Sequence, residues 1–258
     1  MERINAPRPT GMNRRGLRLW AMLLMMLGIV SRGILQNRVL GMGDATNMQM
    51  LEALLSTDEG MAIATVSLVL QALETMAMPL FCFLLVEGTQ RTGDFAKYFV
   101  RVLGVAVLSE VPYNLAMSGK VLDLSSRNPA FGLVLAMILL LLYRKFSKPG
   151  FANVLLKILF TLSAVLWCGM LKISDGQCAA VLVAVLWMLR NKPLYRNIFG
   201  CTAAFACCLF NPFYMISPMS FLMLHFYNGE QGEENRLFNY LFYPVILLAV
   251  GLAGMFLM

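Results

Sequence analysis

Histidine is nearly absent from this chain: His225 is the only one in 258 residues. Chemistry that needs clustered imidazoles, such as a histidine-rich zinc site, has no material to work with. Charge is scarce as well, at 14% Asp, Glu, Lys and Arg, where a soluble domain carries about 25%. The six cysteines (Cys82, Cys168, Cys178, Cys201, Cys207 and Cys208) lack the paired spacing of a metal site. They lie mostly inside apolar runs, which reads as buried free thiols and no metal centre. No GxSxG, HExxH, Walker or GxGxxG arrangement occurs, so those hydrolase, metalloprotease and nucleotide-binding fingerprints are excluded.

What the chain has instead is apolar length. It is 59% hydrophobic with a mean hydropathy of +0.70, the composition of an integral membrane protein. Apolar runs fall at about 17–35, 61–86, 99–117, 130–143, 153–171, 177–190, 197–210, 212–226 and 237–257, against the ~20 residues needed to cross a bilayer. The expectation is an all-α, polytopic transmembrane bundle of about nine spans, with eight or ten tolerable. The pair over 197–226 is interrupted by "NPFYMISP" and reads either as two short spans or as one kinked hairpin. Residues 1–16 read as a basic cytoplasmic tail and 17–258 as a single transmembrane domain. The run from Leu17 is long enough to stay in the bilayer, so it is read as a first span and not a cleaved leader.

The formal charge of +7 does not imply nucleic acid, because the basic residues sit at the ends of apolar runs with no aromatic-interleaved patch. Their distribution sets orientation instead. With the N-terminus cytoplasmic, Arg32, Arg38, Lys120, Arg127 and Lys172 fall outside and Lys157 lies within a span. The other 15 of the 21 Lys and Arg fall inside, a positive-inside asymmetry expected of a bacterial inner-membrane protein. The acid-bearing loop "GMGDATNMQMLEALLSTDEG" then faces outward.

Acids inside such runs need a reason, since each costs about 2.5–3.5 kcal/mol at mid-membrane. Glu74, Glu87 and Glu110 are the three. Glu87 stands four residues before Arg91, close enough on a helix to pair with it near the cytoplasmic face. Glu110 precedes Pro112 and either caps a kinked helix end or lines an outward cavity with Asn114 and Asn128. Further polar groups mark span boundaries: Asp175 in "KISDGQ", and Asn228 in "YNGEQG", where Asn-Gly favours a turn with positive φ. His225, just ahead of that turn, is either an interfacial side chain or an acid/base group.

The block "MPLFCFLLVEGTQRTGDFAKYFVRVLGVAVLSEVPYNLAMSG", with "RNPAFGLVLAMILLLLYR", "FYNGEQG" and "NYLFYPVILL", resembles the TraX family over about Leu17 to Leu248. This family takes its name from the acetyltransferase that modifies F-pilin. The resemblance implies acyl transfer within a membrane bundle, from acetyl-CoA or a related acyl-coenzyme A on the cytoplasmic side to a peptide or other acceptor. It implies Glu110 or His225 as the base and Glu87, Arg91, Asn114, Asn128, Asp175, Asn228 and Tyr243 as substrate-binding residues.

The chain departs from the family at its histidines. Where the family reads "LIDHIG", this chain has Gly28 and Ile29, and the histidine of "YPLHLL" falls on Ile246. A general base near the nucleophile is what acyl transfer requires, so restoring Gly28→Asp, Ile29→His and Ile246→His is expected to raise the rate. Two other readings stand beside the enzyme. One is a non-catalytic subunit that binds lipid, peptide or a membrane-protein partner in the old cavity; the other is a proton-coupled transporter built on the intramembrane acids.

Overall fold

Helix caps written in the sequence start the long elements. Asn13 accepts the Gly16 amide at 2.8 Å and opens α1 (Arg14–Val30), which runs on as a π-helical segment (Ser31–Val39). Thr57 caps α2 (Asp58–Glu74), with Asp58 and Glu59 in its first turn. Asp94 caps α4 (Phe95–Ser118) by accepting the Lys97 amide, and Gly119 closes it in the left-handed conformation at φ 69°. The computed structural model describes residues 11–41, 52, 55–148, 150–232 and 235–256. The first ten residues of the expected tail, and most of the loop expected to face outward, lie outside the described residues.

Between α2 and α4, α3 spans Ala77–Arg91. α2 and α3 together make the long second run, interrupted at Thr75–Met76. Pro79 cannot donate to the Thr75 carbonyl, and the Thr75 hydroxyl bonds Ala72 and Phe213 carbonyls instead. Next come α5 (Ala130–Lys145), α6 (Phe151–Met170), α7 (Gly176–Met188) and α8 (Pro193–Ala206), then a short α9 (Ser220–His225) and α10 (Arg236–Phe256). The described residues form no strand beyond two isolated bridges, Met12–Tyr227 and Arg127–Ile173. The molecule is an all-α bundle.

Among the described residues, five helical stretches are long and apolar enough to cross a membrane: Arg14–Val39, Asp58–Arg91, Phe95–Ser118, Phe151–Met170 and Leu237–Phe256. The short α7 is the inner post of the bundle, burying Cys178, Ala179, Leu182, Val183 and Leu186 against α3, α5, α6 and α8. Small residues allow close approach where a Cβ on Gly132 of α5 would stand 2.7 Å from the Gly176 Cα. α6 is the opposite case. It buries only Cys168 and turns Leu155, Leu159, Leu162 and Leu166 outward, as a lipid-facing helix does.

The 197–226 region resolves into one hairpin. α8 rises for 14 residues, short 3₁₀ turns at Cys207–Leu209, Pro212–Met215 and Ser217–Met219 form the apex, and six-residue α9 returns. Both legs meet the same ring, since Arg196 lies 4.8 Å over Phe83 and Tyr227 packs edge-on to it at 5.3 Å. The run 212–226 is therefore too broken to be a spanning helix. Pro212 and Pro218 each stand at the start of a 3₁₀ turn and remove the donors a continuous helix would use.

Candidate functional site

Residues 14, 18, 22, 25 and 32 share one face of the first helix, and 98, 101, 102 and 105 share one face of α4. With α3, the hairpin apex and α10, these faces enclose a cavity of about 450 Å³, within the roughly 300–1,000 Å³ of small-molecule sites. Its composition changes along its length. One end carries Arg14, Arg18, Arg91 and Arg101 with Tyr98. The middle is apolar, with Met22, Met25, Met78, Phe81, Val102 and Leu133. The far end is polar again, formed by Arg32, Gln71, Glu74, Asp175, Asn211 and Tyr243.

The far end is organised around Glu74. Ser67, Gln71 and Glu74 form a polar row on α2 facing the first helix, where the Ser31 hydroxyl bonds the Ser67 carbonyl at 2.8 Å and Arg32 pairs with Glu74. Room for the Glu74 carboxyl exists because residue 28 has no side chain: a Cβ there would stand 2.0 Å from it. Asp175 faces Glu74 from the start of α7. Its backbone is left-handed (φ 54°), a conformation uncommon outside glycine, and its side chain accepts Asn211 Nδ2 at 3.2 Å instead of capping its own helix.

Glu87 lies at the arginine end but serves as a clamp. Its Oε1 accepts the Tyr227 hydroxyl at 2.5 Å and Arg91 at 2.7 Å, and Arg14 approaches Oε2 at 3.6 Å. Arg91 also donates to the Gly229 carbonyl at 2.8 Å. The returning leg of the hairpin is thus tied to α3 and, through Met12–Phe226 and Asn228–Met12 backbone bonds, to the start of the chain. Asn228 accepts the Glu230 amide within a turn whose Gly229 has φ 79°, as Asn-Gly predicts.

Of the nine site residues named from sequence, Arg91, Asp175 and Tyr243 line the cavity. Glu110 does not: it accepts Asn128 Nδ2 at 2.8 Å and the Asn128 amide, with Arg127 at 3.8 Å, and so joins α4 to the start of α5. Asn128, fully buried, also bonds the Ala106 carbonyl and the Ala130 amide. Asn114 is buried on α4 away from the cavity lining. His225 is exposed and packs edge-on to Phe226. Glu74, Arg32, Arg14, Arg18 and Arg101 were missed, although the 14–18–22–25 and 67–71–74 spacings place each set on one helical face. The described residues hold no group of three His, Cys, Asp or Glu suited to a metal.

Ile29 and Ile246, the positions at which the sequence resemblance leads to an expectation of histidines, pack into one apolar cluster with Tyr113, Leu247 and Val250. Two distant sequence positions therefore share one cluster, and both are aliphatic.

A family model described as TraX protein matches residues 14–253. A probable fimbrial assembly protein FimC of serogroup H1, from Dichelobacter nodosus, is 28% identical over 208 residues, covering 70% of this chain and 81% of the relative. No solved structure matches significantly.

Proposed function

The chain belongs to the TraX family, and from that premise we propose that it transfers an acyl group from an acyl-coenzyme A to an acceptor inside the bundle. The observation that carries the reading is one cavity joining four guanidiniums to a far end with two carboxylates, Glu74 and Asp175. Guanidinium groups suit the phosphates of such a donor, binding them by charge-assisted and bidentate hydrogen bonds. The apolar middle suits the arm that carries the thioester.

Asp175 is the base in this reading. It holds one hydrogen bond from Asn211 and, among the described residues, forms no ion pair, so it keeps lone pairs for a substrate proton. Glu74, committed to Arg32, orients that guanidinium. The positive-inside pattern sets the arginine mouth toward the cytoplasm of a bacterial inner membrane, where acyl-coenzyme A is available. The fimbrial name of the Dichelobacter relative suggests a pilin-like peptide as the acceptor.

The test uses the protein in lipid nanodiscs with radiolabelled acetyl-coenzyme A and a pilin-like peptide. Asp175→Asn is expected to lower transfer about 10²–10⁴-fold, the usual size of a general-base contribution, with donor affinity retained. Arg101→Ala is expected to weaken donor binding. A second reading, binding without catalysis, is favoured by the aliphatic Ile29–Ile246 cluster; tight donor binding with no transfer by wild-type protein would select it.

A further inference from the structure

Two buried donors at the far end of the cavity have nothing to donate to. Among the described residues, the Tyr243 hydroxyl and the Arg32 Nε–H are both shielded from solvent and without a hydrogen-bond partner. Both residues line the cavity, and Tyr243 stands within electrostatic reach of Arg32, Tyr113, Glu74 and Glu110. The possible acceptors around Tyr243 are engaged elsewhere, and Asp175, within electrostatic reach of Arg32, accepts Asn211. Glu74 holds the Arg32 terminal nitrogen, Glu110 is bonded by Asn128, and Tyr113 shares a bond with Ser126. Native proteins seldom leave buried donors unmet, and where they do the cause is often a ligand or a catalytic role.

We infer that Tyr243 Oη and Arg32 Nε form an oxyanion-binding pair for the carbonyl oxygen of the acyl group. This inference rests on the transferase reading and names the part that stabilises its transition state. The acceptor N–H or O–H attacks the thioester carbon, the new C–N or C–O bond forms, and the carbonyl π pair moves to oxygen. That oxygen accepts hydrogen bonds from Tyr243 and Arg32, while the acceptor proton passes to Asp175. Collapse restores the C=O bond, breaks the C–S bond and expels the thiolate, which takes the proton back from Asp175. Donors aimed where charge develops account for a large share of catalysis in such reactions.

The experiment compares wild type with Tyr243→Phe in nanodiscs, using acetyl-coenzyme A and S-ethyl-coenzyme A, which has a methylene in place of the carbonyl. Wild type is expected to bind the acetyl form roughly 10-fold tighter, and Tyr243→Phe, which leaves Arg32 Nε in place, is expected to cut that preference about 3-fold, the worth of one net hydrogen bond. In transfer assays kcat is expected to fall about 10²-fold with KM within about threefold, and the melting temperature is expected not to fall. A preference undiminished in Tyr243→Phe, or a kcat within about threefold of wild type, overturns the pair, as does a parallel fall of melting temperature and rise of KM. Equal binding of both compounds by wild type sinks the pair alone, whereas binding of neither sinks the transferase reading with it. A carbonyl preference that Tyr243→Phe reduces, in a protein with no turnover, supports the pair and refutes the transferase reading.

Discussion

Glycine inside a helix costs about 1 kcal/mol relative to alanine, so Gly28 in α1 needs a local return. The return is the space taken by the Glu74 carboxyl, which lets Glu74 reach Arg32. Gly28→Ala should drive Glu74 out of place and break a largely buried ion pair, a loss of about 3–5 kcal/mol. In a Glu74→Ala background the same Gly28→Ala change should stabilise by about 1 kcal/mol, because only the helix propensity remains. Thermal melts of the four proteins in detergent decide this, and additive effects would show that Glu74 does not depend on residue 28. The same geometry revises the expectation that an aspartate at 28 improves catalysis by itself. Its Cβ would meet the Glu74 carboxyl first, so Gly28→Asp needs Glu74→Ala beside it.

The elements are held by side chains whose roles the sequence left open. Glu110 joins α4 to α5 through Asn128, which is fully buried. Glu110→Leu strands the Asn128 amide donor, and an unmet buried donor costs about 1–3 kcal/mol. The melting temperature should therefore fall for Glu110→Leu and be largely restored in Glu110→Gln, whose amide oxygen still accepts. An unchanged melt for Glu110→Leu would remove the clamp from the account. At the other end of α4, the backbone hydrogen bond from Lys97 holds the Asp94 carboxyl below its ordinary value of 3.8. A depressed folded value gives a contribution that is complete above that ordinary value and fades as the pH falls below it. Amide exchange at residues 96–98 should thus be insensitive to Asp94→Ala near pH 2 and faster in the mutant near pH 6.

At the scale of the whole molecule, one end gathers the turns that carry basic residues. Arg144 lies 5.5 Å over the Phe95 ring and Arg91 bonds Gly229, so the 92–94, 146–148 and 228–230 segments share that end. Residue 122 lies beyond the opposite end of α4, about 36 Å away at 1.5 Å per residue. From the positive-inside pattern we propose that the first end is cytoplasmic. Cysteines placed at 94, 147 and 229 should resist a membrane-impermeant maleimide in intact cells and react after permeabilisation, while one at the exposed Leu122 reacts in intact cells. The native cysteines are buried or half-buried, which keeps the background low. Labelling at 94 in intact cells would invert the orientation.

The all-α bundle, the apolar runs, the Asn-Gly turn at 228–229 and the pairing of Glu87 with Arg91 follow from local rules. Periodicity, run length and i to i+4 spacing act within one segment and can be read without knowing its neighbours. The cavity could not be read that way, because each wall is a stripe on a different helix and only packing decides which stripes face each other. Glu110 looked like a base and became a clamp once Asn128 was seen to arrive from the following loop. Glu74 became central because α2 crosses α1 at a glycine. Ile29 and Ile246, 217 positions apart, share one apolar cluster. A sequence determines what each segment prefers; which buried polar groups meet a partner, and which wait for a ligand, is decided by long-range contacts that only the folded bundle brings together.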